Sequence, residues 1–378
     1  MKLERSKNTA RNVFFGFITR IYALFVPFLM RTALIYCLGM EYVGLNSLFS
    51  SVLSVLNLAE LGVGSALVFS MYEPLANEDT EKICALMQLY NVFYRIIGLF
   101  ILILGICITP FLPKLVKGTI PNGMNLYILF YINLFTTVLT YWLFAYKNCL
   151  LFVHQRIDIT DKIGYVINTV KYVIQLIVLF FIKDYYVYII VALFMGVVNN
   201  IVTALIVDKH YPQYKAMGKL DKEETKSIAN RVKDLFTAKI GGIVSNAADT
   251  IVISAFLGLT DLALYQNYYY ISSSVLGFIT LITTSSRSGI GNSIVTETKE
   301  KNFFDLKRLT LVFAWLGIFS TCSLACLYQP FMELWVGKEN MLPYNMVIVF
   351  CVYFFITEMM GLMLTYKDAS GIWHKDRF

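Results

Sequence analysis

Charge is what this sequence has least of. Only 15% of its 378 residues are Asp, Glu, Lys or Arg and 57% are hydrophobic, against roughly 25% and 45–50% in an average soluble domain. A soluble fold is excluded. Histidine is scarce too. His154, His210 and His374 lack ligand spacing and no glycine-rich phosphate loop occurs, so neither a metal site nor ATP hydrolysis within this chain is expected, and no nucleic-acid partner. The seven cysteines (Cys37, Cys84, Cys107, Cys149, Cys322, Cys326 and Cys351) are odd in number and lie in or beside apolar stretches, which excludes a disulfide or zinc framework. A cleavage site is missing as well. Lys2, Arg5, Lys7 and Arg11 precede an apolar stretch longer than a signal-peptide core, so that stretch reads as the first span.

Long apolar runs are what the chain does have. A helix crossing a bilayer needs about 20 mostly apolar residues, and runs of that length lie near 12–37, 43–71, 85–110, 123–146, 160–182, 185–207, 236–257, 262–286, 308–329 and 343–366. The expected fold is an all-α integral membrane protein with about ten transmembrane helices. With the N-terminus inside, 22 of the 32 basic residues fall on the cytoplasmic side and 4 (Lys114, Lys117, Lys183, Lys338) on the outer side. Basic residues near span ends resist translocation, so this asymmetry predicts a cytoplasmic N-terminus. The longest loop, 209–235, is charged and cytoplasmic. It divides a six-helix lobe, 1–208, from a four-helix remainder, 236–378.

Sliding the chain on itself by about 220 residues brings Leu38-Gly39 onto Leu257-Gly258, Pro110-Phe111 onto Pro330-Phe331, and Tyr146-Lys147-Asn148 onto Tyr366-Lys367-Asp368. Three matches in register, each at the same end of the same-numbered helix, predict a repeat. An offset of six spans preserves orientation, so the lobes are expected to be parallel repeats around a central cavity. The counterpart of Phe378 lies near Asp158. The second lobe is therefore expected to stop two helices short, as in a truncated chain, with a natural ten-span protein as the alternative.

The stretch Leu38-Gly39, Tyr42-Val43-Gly44-Leu45, Ser51-Val52-Leu53 and Glu60-Leu61-Gly62-Val63-Gly64-Ser65-Ala66-Leu67 resembles the first two spans of bacterial polysaccharide flippases of the O-antigen and capsule type. Tyr366-Lys367-Asp368-Ala369-Ser370-Gly371-Ile372-Trp373 is similar to the loop after their tenth span. The resemblance implies the multidrug/oligosaccharidyl-lipid/polysaccharide exporter superfamily, two six-helix lobes and alternating access. It also implies residence in the bacterial inner membrane and outward transport of an undecaprenyl-pyrophosphate-linked oligosaccharide beside other glycan-assembly membrane proteins.

Charges within the spans need a reason, because each costs about 2.5–3.5 kcal/mol at the bilayer centre even on lenient scales. They are Arg20, Arg31, Arg95, Lys171, Lys239 and Arg287 against Glu60, Asp249 and Glu358. Arg20 and Arg31 share one face of the first span, with Pro27 between them, about 16 Å apart along the axis. The repeat places Lys239 at the depth of Arg20, with Asn246 and Thr250 continuing a polar stripe. Arg20, Arg31, Lys171, Lys239 and Asn246 are thus the expected contacts for a pyrophosphate and its sugars, since guanidinium and ammonium groups offset anion desolvation. The bland alternative is that Arg20, Arg31 and Lys239 snorkel to the interfaces. Glu60 and Asp249 are read as a proton or sodium coupling site, or as internal ion pairs. Tyr265, Tyr268, Tyr269 and Tyr270 either stack on sugars or sit in the interfacial belt. The leading reading is a lipid-linked oligosaccharide flippase. An ion-coupled multidrug antiporter is the alternative, and a membrane glycan polymerase or glycosyltransferase ranks last because the outer loops are too short to hold its site.

Overall fold

The described residues of the ten apolar runs fold predominantly as helix. The computed structural model describes the backbone of residues 5–370 apart from Leu61, Thr119 and Asn122. It describes the side chains from Ile21 onward apart from Ala59, 234–235, 237–240, 242–246, 284–285, 287–288, Val295 and Asp368. The helices are α1 (Arg5–Cys37), α2 (Met40–Leu56), α3 (Val63–Ala76), α4 (Thr80–Ile108), α5 (Leu126–Trp142), α6 (Asn148–Val153), α7 (Ile157–Ile177), α8 (Tyr185–His210), α9 (Lys222–Phe256), α10 (Leu259–Thr296), α11 (Lys299–Val336) and α12 (Tyr344–Ser370). No strand occurs among the described residues. Five described helical stretches are long and apolar enough to cross a bilayer, or six counting Leu126–Trp142 with Ala145–Val153, a pair bent by 48°, and shorter apolar helices accompany them. The protein is an all-α, multi-pass membrane protein.

Two sequence expectations are corrected locally. The run 43–71 is not one helix: α2 stops at Leu56, a 3-10 turn covers Asn57–Glu60, and α3 begins at Val63. Gly62, at φ 90°, supplies the left-handed residue between them, a conformation that costs an L side chain roughly 1–2 kcal/mol. The charged loop 209–235 is also largely helical, since α9 starts at Lys222 with Glu223 and Glu224 in its first turn, where the helix dipole favours carboxylates.

One repeat landmark has the same backbone bonding in both copies. Leu38 N–H and Gly39 N–H both donate to the Leu34 carbonyl, and Leu257 N–H and Gly258 N–H both donate to that of Ile253. The two glycines close their helices at φ 121° and φ 111°. The other landmarks diverge: Pro110 lies in a 3-10 turn, Thr109–Leu115, whereas Pro330 lies inside α11.

The chain divides into two compact units, Met1–Leu262 and Ala263–Phe378. In the first, α4 packs on α5, α7 on α8, and α5 on α8, while α9 lies along α2 and α3. Leu45, Phe49, Leu67, Leu129, Phe130 and Leu134 are fully buried there. Small residues let backbones approach, as expected where helices associate by close packing rather than by expelling water. Gly44 sits directly against the Leu259 carbonyl, and Gly98 directly against the Trp142 indole. In the second unit α11 and α12 pair along their length, and Tyr268, Tyr328, Met332 and Phe354 are fully buried. Phe181, Trp315 and Leu334 are among many large apolar side chains left exposed. For a chain solvated by lipid this is the expected outer surface.

Candidate functional site

In the first unit, α7 repeats a polar or small residue on one face at Thr160, Gly164, Asn168 and Lys171, a spacing of three to four that aligns them along the helix. α8 presents Gly196, Asn199 and Asn200 opposite, and α5 contributes Thr140. Together they line a half-open cavity of about 410 Å³. Asn200 is buried and fixed, its amide donating to the Thr140 carbonyl at 2.9 Å. The Thr160 hydroxyl is buried with no hydrogen-bond partner among the described residues. α1 braces the outer side of α7: the Tyr22 and Thr169 hydroxyls are 2.7 Å apart, and the Tyr22 ring meets Tyr165 edge-on at 5.3 Å.

Lys171 lies in this cavity wall, half-buried. Its ammonium donates to Asn168 Oδ1 at 2.9 Å and lies 4.4 Å from the centre of the Tyr172 ring. No carboxylate comes within ion-pairing distance of it among the described residues. Asp161, the cavity's acid, stands ten residues earlier on α7, about 15 Å along the axis. The cation is therefore held by an amide and an aromatic face, which hold it in place without cancelling its charge.

Glu60, at the end of the 3-10 turn, makes a different arrangement. The Tyr94 hydroxyl donates to Oε1 and the Tyr141 hydroxyl to Oε2, each at 2.8 Å, and the Tyr90 and Tyr94 hydroxyls are 2.9 Å apart. The break between α2 and α3 turns the carboxylate toward α4 and α5. Gly64 makes room for Tyr90, whose hydroxyl would lie 2.8 Å from any Cβ there. Among the described residues the Glu60 carboxylate is held by these two phenols and by no arginine.

Arg31 is half-buried on α1, Arg95 is exposed on α4, and Asp249 is exposed on α9. The side chains of Arg20, Lys239, Asn246 and Arg287 lie outside the described residues. Tyr268 is not available to stack on a sugar. It is fully buried, donates to Gln329 Oε1 at 2.8 Å and accepts from Leu342 N–H at 3.2 Å. Tyr265 and Tyr269 stack on each other at 6.1 Å. The residues that sequence reading missed are the amides and hydroxyls around Lys171. Their helical periodicity was visible, but Asn and Thr are unremarkable singly, and only packing shows that α5 and α8 close the pocket.

No family profile matches the chain, and neither does any curated protein sequence. Among solved structures it is similar to a multidrug resistance MATE family transporter of the MOP superfamily in an inward-facing conformation, with a TM-score of 0.61 and 12% identity over 91% of this chain and 84% of that one. The likeness is one of fold.

Proposed function

We propose that this chain is a transporter of the multidrug/oligosaccharidyl-lipid/polysaccharide exporter superfamily that carries the anionic head of a lipid-linked oligosaccharide from the inner to the outer leaflet of a bacterial inner membrane. The observation that carries this reading is Lys171, a cation with no carboxylate in ion-pairing distance among the described residues, in a cavity whose other polar groups are amides and hydroxyls apart from Asp161 about three helical turns away. An ammonium offers the pyrophosphate a charge-assisted contact, and amides and hydroxyls match sugar hydroxyls. Arg20, Arg31, Lys239 and Asn246 extend the same chemistry along α1 and α9. In this reading the N-terminus is cytoplasmic and the sequence repeats are 1–208 and 236–378 joined through 209–235, the second repeat's first helix, α9, belonging to the first compact unit.

Deleting the gene should remove a surface glycan. Wild type and Lys171→Arg should restore it, and Lys171→Ala at equal membrane abundance should not. Full rescue by Lys171→Ala would refute the assignment. A multidrug antiporter is the second reading, favoured by the fold shared with a multidrug resistance transporter. It predicts altered drug sensitivity on deletion with the glycan intact.

A further inference from the structure

Two acids of the apolar interior meet opposite surroundings. Glu60 is held by two phenolic donors. Glu358 on α12 is only 3% exposed, and neither of its carboxyl oxygens has a hydrogen-bond partner among the described residues. It lies in a notch of α11 that exists because residue 317 is glycine. A Cβ at Gly317 would collide with Glu358 Oε2 and crowd the Phe355 ring at 3.2 Å. Thr321 lies one turn along the same face of α11, and its hydroxyl is also buried without a partner among the described residues. Three orphaned oxygens thus mark one helix seam.

The seam supplies no counter-charge. α11 carries no charged side chain between Arg308 and Glu333, α12 none besides Glu358 between Tyr344 and Lys367, and α10 none between Asp261 and Arg287. The other titratable groups on these helices within those limits are the α11 and α12 cysteines (Cys322, Cys326, Cys351) and tyrosines such as Tyr268 and Tyr328. None of these hydrogen-bonds Glu358. An ionised carboxylate so placed would be an uncompensated buried charge, the least favourable state open to it. A proton removes that charge.

We propose that Glu358 is a proton-binding site of the α11–α12 seam. The carboxylate takes up one proton to become a neutral acid when the seam is closed, and it releases that proton only when α11 and α12 part enough for water to reach it. The proton is thereby tied to the packing of these two helices. This does not rest on the substrate reading, because such a site serves the carriage of a glycan or of a drug equally.

The test needs no transported substrate. The full chain, purified in phosphatidylglycerol–phosphatidylethanolamine nanodiscs, is treated at neutral pH with the hydrophobic reagent dicyclohexylcarbodiimide. This reagent adds to a protonated carboxyl, the acid proton passing to a carbodiimide nitrogen as the carboxyl oxygen bonds to its carbon. Peptide mass spectrometry of the wild-type protein should find the adduct on Glu358 and not on Glu60. In infrared difference spectra, Glu358→Gln should lose one carboxylic-acid carbonyl band. Absence of adduct on Glu358, or an acid band unchanged in Glu358→Gln, would overturn the proposal. Protection of Glu358 by sodium but not by choline would overturn it too, by assigning the seam to a metal cation. The wild-type labelling stands even if the variant fails to fold.

Discussion

The Glu60 network can be tested through one hydroxyl. Tyr94 donates to Glu60 Oε1 and also meets the Tyr90 hydroxyl, so Tyr94→Phe removes a charge-assisted bond and leaves Tyr90 without its neighbour. Hydrogen bonds to charged groups contribute about 1.5–3 kcal/mol and neutral ones about 0.5–1.5 kcal/mol. Tyr94→Phe should therefore cost about 1.5–3 kcal/mol in wild type. With Glu60→Gln the acceptor becomes a neutral amide, and the same truncation should cost about 1 kcal/mol less. The assay is reversible unfolding in mixed micelles, run as a double-mutant cycle at constant micelle composition. Tyr141→Phe, acting on the opposite carboxylate oxygen, provides a second cycle. Equal costs in both backgrounds would mean that the Tyr94 hydroxyl does not couple to the Glu60 charge, and the assignment would fall.

Other outcomes follow from single contacts. Gly98→Ala places a methyl against the Trp142 indole, whose Nε1 donates to the Arg95 carbonyl at 3.2 Å. It should lower stability by about 1–3 kcal/mol, measured by the same unfolding assay, with part recovered in Gly98→Ala/Trp142→Phe. Gly62→Ala should cost about 1–2 kcal/mol from its left-handed backbone, whereas Gly164→Ala, which meets no atom within 4 Å, should not show that loss. Lys82 pairs with Glu224 at 2.6 Å, but both side chains are more than a third exposed, so Lys82→Ala should cost less than about 1 kcal/mol. The same variant should speed maleimide labelling of Cys84, a buried thiol beneath Gln213 and Lys215; unchanged labelling would show that the ion pair does not hold that segment down.

Helices were the legible part of this sequence, because twenty-residue apolar runs have few ways to fold in lipid. The repeated Leu-Gly stop was legible for the same reason: Gly39 and Gly258 take φ values that most residues avoid. The break at Asn57–Glu60 was hidden, since Gly62 and Gly64 also read as close-packing residues within one span. The helical start of α9 was hidden by its charge, which reads as loop until Glu223 and Glu224 are seen as a first turn. At the site, Lys171 and Glu60 stood out in sequence because charge in lipid demands an explanation. What surrounds each did not, because Asn200, Tyr94 and Tyr141 are brought in from other helices. Glu358 was visible as a charge, but its isolation is a property of the α11–α12 packing.

α9 has 35 residues, about 52 Å of helix at 1.5 Å per residue, while the hydrocarbon core is only about 30 Å thick. Roughly 20 Å of it must therefore stand in water. The Glu224 end is tethered to Lys82, and the stretch Ala247–Phe256 is apolar. One hydrogen-bonded rod thus joins an aqueous tether to a buried contact with α2. A pull or label at the aqueous end would report on events within the bilayer without any probe having to enter it.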